Sequence, residues 1–298
     1  MMRSFKYLTV VAAASILASC EPLEEDSWTK NSVINTQWTA AEPETGRIPV
    51  GLQDCWLYMY PQEGNIPFYS YRIDEEREEV DIPGGRYDAL VLHDLKYLEG
   101  IGQRFETAKI KIPTTYNDKG EREISDNPQG MIYTARVQNI SIEEDERREQ
   151  YIPMERVLKK INFIANIRDS GELKNECIID ISGLAVEMRL HDFSITQSEE
   201  AVLAFPIRKQ GRTTACEDGY QTIYAGYANF LGVTGTNILY FTFTDSQGVE
   251  RRLDIDISAR LHYWNTEEVT VHIFVDAVAG TIRLDKWSNE SSDVTIDN

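Results

Sequence analysis

Hydrophobic residues recur at every second position through most of this 298-residue chain, and that period excludes a helical fold. The stretch 157–168 shows it best. Val157, Lys159, Ile161, Phe163, Ala165 and Ile167 fall on one face; Leu158, Lys160, Asn162, Ile164, Asn166 and Arg168 fall on the other. Successive side chains of a strand point to opposite faces, so this reads as a half-buried strand of about 11 residues. Residues 55–60 (CWLYMY) alternate aromatic with aliphatic side chains and lead into a turn at Pro61–Gly64. Residues 79–82 and 87–92 flank Pro83-Gly84-Gly85 and read as a hairpin. Residues 106–113 and 131–142 continue as strands.

The second half repeats the pattern. Cys177, Ile179 and Ile181 alternate up to Gly183, then Val186, Met188 and Leu190 resume, so the glycine marks a bulge or bend. Residues 237–244 and 249–257 flank Asp245-Ser246-Gln247-Gly248 and form the clearest hairpin in the chain. Val269, Val271, Ile273 and Val275 make a last long strand, turned at Ala279-Gly280 toward Ile282 and Leu284. Between the halves, residues 143–150 (EEDERREQ) carry no apolar face and read as a solvated connector or a short exposed helix. The fold class is therefore all-β, with β-sandwiches over 47–148 and 149–286 and a polar tail at 287–298.

The first twenty residues carry a different signal. Arg3 and Lys6 precede the apolar run Tyr7–Leu17, which is too short to span a bilayer but suits a secretory leader. The run ends in Leu17-Ala18-Ser19-Cys20, the order of a lipobox, with cleavage between Ser19 and Cys20. Small residues let a signal peptidase bring the backbone close beside a lipid-modified cysteine. Residues 1–19 thus read as a lipoprotein signal peptide, and 20–46 as an acidic tether opening with Glu21, Glu24, Glu25 and Asp26. Each buried methylene contributes about 0.8 kcal/mol, so two or more acyl chains on Cys20 anchor a protein that has no spanning helix.

Charge closes off other partners. The net charge of −19 becomes −21 once the two leader cations are removed, which disfavours nucleic acid and anionic lipid alike. No metal or cofactor motif is present: His93, His191, His262 and His272 are scattered singly, and Cys55, Cys177 and Cys216 lack CxxC spacing. Buried thiols are the expected state for most of the three, with a Cys177–Cys216 disulfide as the other possibility in an exported chain. Nothing marks an enzyme. Two aromatic groups, Trp56/Tyr58/Tyr60 and Tyr220/Tyr224/Tyr227, raise a glycan platform as a second function, against packing in a core.

These features resemble the fimbrial-anchor lipoproteins of Bacteroidetes-type bacteria. The likeness lies in Cys55–Pro61 (CWLYMYP), Val80–Leu90 (VDIPGGRYDAL), Met154–Ile164 (MERVLKKINFI) and Ile181–Leu190 (ISGLAVEMRL). It departs at Lys159-Lys160 and Leu184, where the family shows alanine and methionine. The resemblance implies two tandem transthyretin-like domains and a lipid-anchored position on the outer membrane, facing outward. It also implies a role in cell adhesion, holding or assembling a pilus by β-strand pairing, with pilus subunits as partners. The acidic run after Cys20 resembles that family's surface-export signal. Two alternatives accompany it: a surface glycan binder serving polysaccharide capture, and a pilus subunit trimmed after Arg47. Residues 293–298 (DVTIDN) are a weak candidate donor strand.

Overall fold

In the computed structural model the described residues are 32–38 and 55–288, apart from 63–68, 74–76, 94, 103, 131, 144–147, 170–172, 174–176, 217–218, 246 and 265. The first half contributes β1 (Ser32–Trp38), β2 (Cys55–Pro61), β3 (Tyr69–Ile73), β4 (Arg77–Val80), β5 (Gly85–His93) and β6 (Leu98–Glu99). After these come β7 (Lys109–Lys111), β8 (Thr114–Tyr116), β9 (Arg122–Ile124), β10 (Tyr133–Ile142) and β11 (Arg148–Arg156). The second half contributes β12 (Lys159–Asp169), β13 (Cys177–Ala185), β14 (Glu187–Arg189), β15 (Glu200–Cys216), β16 (Gly219–Phe230), β17 (Ile238–Thr244) and β18 (Glu250–Asp256). A short helix α1 (Ser258–His262) precedes β19 (Glu268–Asp276) and β20 (Thr281–Ser288). The molecule is all-β in several sheets, as the period of two requires.

The first sheet has seven strands in the order β3-β2-β5-β10-β11-β1-β4. Strands β10 and β11 share only the register pairs Tyr133↔Arg156 and Thr134↔Glu155, so the sheet folds over at that point. Its two parts enclose one core. Leu57, Met59, Val91 and Ile140 come from one side, and Val80, Ile152 and Met154 from the other, all buried. The reverse face of β2 and β5 is buried as well: Tyr58, Tyr60, Leu90 and Leu92 pack into the core of the second sheet. That double burial is why residues 55–60 are apolar throughout rather than alternating with polar residues.

The expected hairpin at Pro83-Gly84-Gly85 does not form. Strand β4 pairs with β1, whereas β5 pairs with β2 and β10. The segment instead arches from one layer to the other, with Ile82 fully buried beneath it and the Tyr87 hydroxyl donating to the Pro83 carbonyl at 2.9 Å. Turn chemistry suits an arch as well as a hairpin. Burial of Val80 and Ile82 in a shared core decides between them.

The second sheet runs β18-β17-β13-β15-β16-β12-β19-β20, with β9 joining β15 and β8 joining β9; its edge strands β18 and β20 return close together, so it is nearly closed. Strand β15 makes the closure possible. Residues 200–207 pair with β13 and residues 208–216 with β16, so one strand serves both layers. Inside lie Ile161, Phe163, Ala165 and Ile167, all fully buried as their alternation demands. Phe163 meets Phe205 at 5.6 Å between ring centroids.

Gly183 is a bulge, as expected: the register breaks between Ile181 and Leu184. Its φ is +68°, and a Cβ there would lie 2.5 Å from the Thr236 carbonyl oxygen, so only glycine fits. The β17–β18 hairpin also forms as read, with Thr244↔Glu250 closing it and Gly248 at φ +87° in the turn. Other stretches differ from expectation. Residues 148–150 of the charged run belong to β11, and residues 200–216 and 219–230 are strands. Strand β20 continues to Ser288, with Trp287 set edge-on to Trp264 at 6.4 Å.

Only Val157 and Leu158, both buried, separate β11 from β12. Around this joint Val157 N–H donates to the Ile132 carbonyl at 2.9 Å, and Asn229 Nδ2 to the Pro128 carbonyl at 2.9 Å. Arg136 of β10 donates to the His191 carbonyl and stacks 4.5 Å over Phe193. The two sheets are thus docked and not merely strung together.

Candidate functional site

The N-terminal strand is the element whose placement bears most on function. Strand β1 lies between two neighbours. It runs parallel to β11 over seven register pairs, Ser32↔Arg148 to Trp38↔Met154, and antiparallel to β4 from Ser32↔Val80 to Asn35↔Arg77. It falls inside the segment read from sequence as a tether. The registers also fix its direction. Pairing of Cys55 with His93, Thr134 with Leu92 and Thr134 with Glu155 puts the start of β2 and the end of β11 at the joint end of the sheet. Ser32, Arg148, Ile142 and Pro61 therefore gather at the opposite end. The chain enters β1 at the end remote from the second sheet and leaves it toward the joint.

Cys20 and Ser19 lie outside the described residues, twelve and thirteen positions before Ser32; the residues between, 21–31, reach at most about 40 Å. Arg47 also lies outside them, between the end of β1 at Trp38 and the start of β2 at Cys55. The order along the chain is therefore acylation motif, β1, Arg47, β2. Residues 293–298 fall outside the described residues too.

Among the described residues the aromatic side chains of these two groups do not gather on one exposed face. Trp56, Tyr58 and Tyr60 do share a face, but it is the face turned into the second core. Tyr60 is 5% exposed, donates its hydroxyl to the Ile101 carbonyl at 2.7 Å and meets Phe105 edge-on. Burial, then the neighbouring Tyr58, pushes its phenol well above the ordinary range. Residues 220–227 are strand β16, not a loop, so Tyr224 and Tyr227, three apart, point to opposite sides. Tyr224 is buried and Tyr227 is 47% exposed. The side chains of Tyr220 and Cys216 lie outside the described residues.

Among the described residues the polar side chains near the joint and on β12 and β19 are engaged in local contacts. On the outer face of β12 and β19, Asn162 Nδ2 donates to Glu268 Oε1 at 2.7 Å, and Lys160 Nζ approaches the same oxygen at 3.0 Å. Burial works against the Glu268 carboxylate, but these two donors hold it below its usual range. Arg156, at the joint, donates Nε to the Leu158 carbonyl at 2.8 Å; burial lowers its basicity, opposed by Glu267 at 4.0 Å. Cys177 is a free thiol in the second core, pushed up to about 12 by burial, and Cys55 is buried in the first core. His262 contacts the Gly235 carbonyl at 3.0 Å, and His93 and Tyr133 meet edge-on at 6.3 Å. Among the described residues no three His, Cys, Asp or Glu side chains gather as a metal site, and no helix is long and apolar enough to cross a membrane.

The described residues thus form an all-β molecule whose first described strand is held between two neighbours in a sheet. Solved structures share the fold. One is a candidate adhesin from Bacteroides ovatus, 15% identical, covering 82% of this chain and 91% of that one with a TM-score of 0.58. A second candidate adhesin, from Bacteroides thetaiotaomicron, is 12% identical over 86% and 96% at 0.56. A structure from the same organism described as candidate polysaccharide-binding proteins is 12% identical over 86% and 98% at 0.53. No curated protein matches. The profile of the fimbrillin-A associated anchor proteins Mfa1 and Mfa2 matches residues 53–293, and the chain belongs to that family. Membership associates it with fimbriae at the cell surface.

Proposed function

We propose that this chain is a surface lipoprotein of fimbrial-anchor type, held on the outer membrane by acyl chains on Cys20 and joined to pilus subunits by strand pairing. The observation that carries the reading is the Leu17-Ala18-Ser19-Cys20 motif, behind an apolar run, in a chain of the anchor family. The lipid supplies the attachment that a charge of −21 on the mature chain denies to the protein surface. The folded-over first sheet (β1–β5, β10, β11) and the sheet from β12 onward are taken as two transthyretin-like sandwiches. The tether then comprises the residues between Cys20 and Ser32. No catalysis is assigned to either unit.

The test is chemical. Wild-type protein should carry diacylglyceryl mass on its first peptide and partition into detergent. Globomycin, or Cys20→Ala, should leave an unprocessed precursor. Identical processing and partitioning with and without the drug would end the anchor reading.

One observation favours a second reading. Arg47 follows β1, so cleavage there would detach β1 with the lipid and leave β4 and β11 without the strand between them. A neighbouring subunit's strand could fill that place through main-chain hydrogen bonds. N-terminal sequencing of surface protein separates the readings: a blocked Cys20 supports an anchor, and a free Ile48 supports a trimmed pilus subunit.

A further inference from the structure

Force along a surface filament must pass through its anchor, and the strand registers define the route. If the membrane holds the chain at Cys20, as proposed above, tension enters β1 at Ser32, its N-terminal end. Tension from the second sheet enters β11 at Arg156, its C-terminal end, because only Val157 and Leu158 join Arg156 to β12. The two strands are parallel neighbours over seven register pairs, and Ser32 and Arg156 lie at opposite ends of the first sheet.

We infer that the β1–β11 pair is a shear clamp, a load-bearing device set directly between the membrane and the distal unit. The reasoning is geometric. When neighbouring strands are drawn from opposite ends, the load runs along both, and the evenly spaced bonds of a parallel ladder share it and fail together. When they are drawn from the same end, the pairs open singly, each bearing the whole load. A parallel neighbour entered at one strand's N-terminus and the other's C-terminus gives the first case. Strand β4 adds a second ladder on the other side of β1, with four further register pairs. Resistance to such loading is a rate property, set by the barrier to unfolding and not by equilibrium stability.

The experiment is single-molecule pulling on the full chain in vitro, with peptide handles that need no lipid. Handles at position 20 and at the C-terminus load the pair in shear; handles at positions 20 and 146 load it from one end, as a zipper. The rupture force at equal loading rate should be several-fold higher in shear. Asn35→Pro, which removes a ladder donor from the middle of β1, should lower the shear force. Equal forces in the two geometries, or a higher force in the zipper, would overturn the clamp. Because the handles replace the lipid, a failed clamp leaves acylation of Cys20 untouched. A failed acylation assay likewise leaves the clamp standing as a property of the fold.

Discussion

The first sheet closes around a strand that reaches it from beyond Arg47, whereas the second turns its own β15 across both layers. Both solve one problem, covering two apolar sheet faces without leaving a long open edge. They differ in what the solution depends on. The second sheet keeps every strand of its closure within residues 159–288, apart from the β8–β9 hairpin laid on β15. The first places β1, whose covalent link to the rest includes Arg47, in the middle of one layer. Stability of the first unit is therefore hostage to a single connection, and that of the second is not.

Deleting residues 32–38 should give the largest contrast. Strands β4 and β11 lose their shared partner, and amide protection in both should vanish, while β12 and β19 remain protected in hydrogen exchange. The loss belongs with the exceptional changes above about 4 kcal/mol, since it removes a central strand. Equal loss of protection in both sheets would show that the units are one cooperative body and erase the comparison.

Phe163→Ala tests the opposite direction. Phe163 is fully buried against Phe205 in the second core. Its truncation should cost about 3–5 kcal/mol by chemical denaturation. Strand β12 should then lose protection ahead of β1 and β5.

The smallest effect is the share of the alkaline pH dependence that one thiol of the second core carries. Cys177 has its thiol raised from 9.0 to about 12 by burial. The unfolded chain then gives up that proton first, so the thiol's contribution is whole below about pH 9 and declines as the pH climbs to about 12. Cys177→Ala should flatten the alkaline limb of a denaturation series for the second unit and leave that of the first unchanged.

Much of this fold is legible in sequence where alternation is clean. Strands β2, β10, β12, β13, β17, β18 and β19 follow directly from inward residues such as Ile161 and Phe163 or Phe241 and Phe243. Residues 32–38 resist reading because their apolar members, Val33, Ile34 and Trp38, fall on both parities. The strand is fixed by the neighbours it finds and not by its own pattern. Strand β11 hides behind Arg148, Glu149 and Gln150, since its buried residues Ile152 and Met154 arrive only from its middle onward. The β4–β5 arch shows a third limit: local turn chemistry does not say which strands will meet. The proposed acylation and trimming positions, Ser19, Cys20 and Arg47, rest on sequence motif alone, while the strand lying between Ser19-Cys20 and Arg47 comes only from long-range pairing.

The two buried residues between β11 and β12 have one more consequence. With Val157 and Leu158 packed and Asn229 and Arg136 fastening the flanks, the distal unit has no swivel of its own. A partner docking across both units would meet them already aimed, and association would forfeit little orientational entropy at the joint. A torque applied to either unit is then delivered whole to the other, so the two turn together like one compass needle.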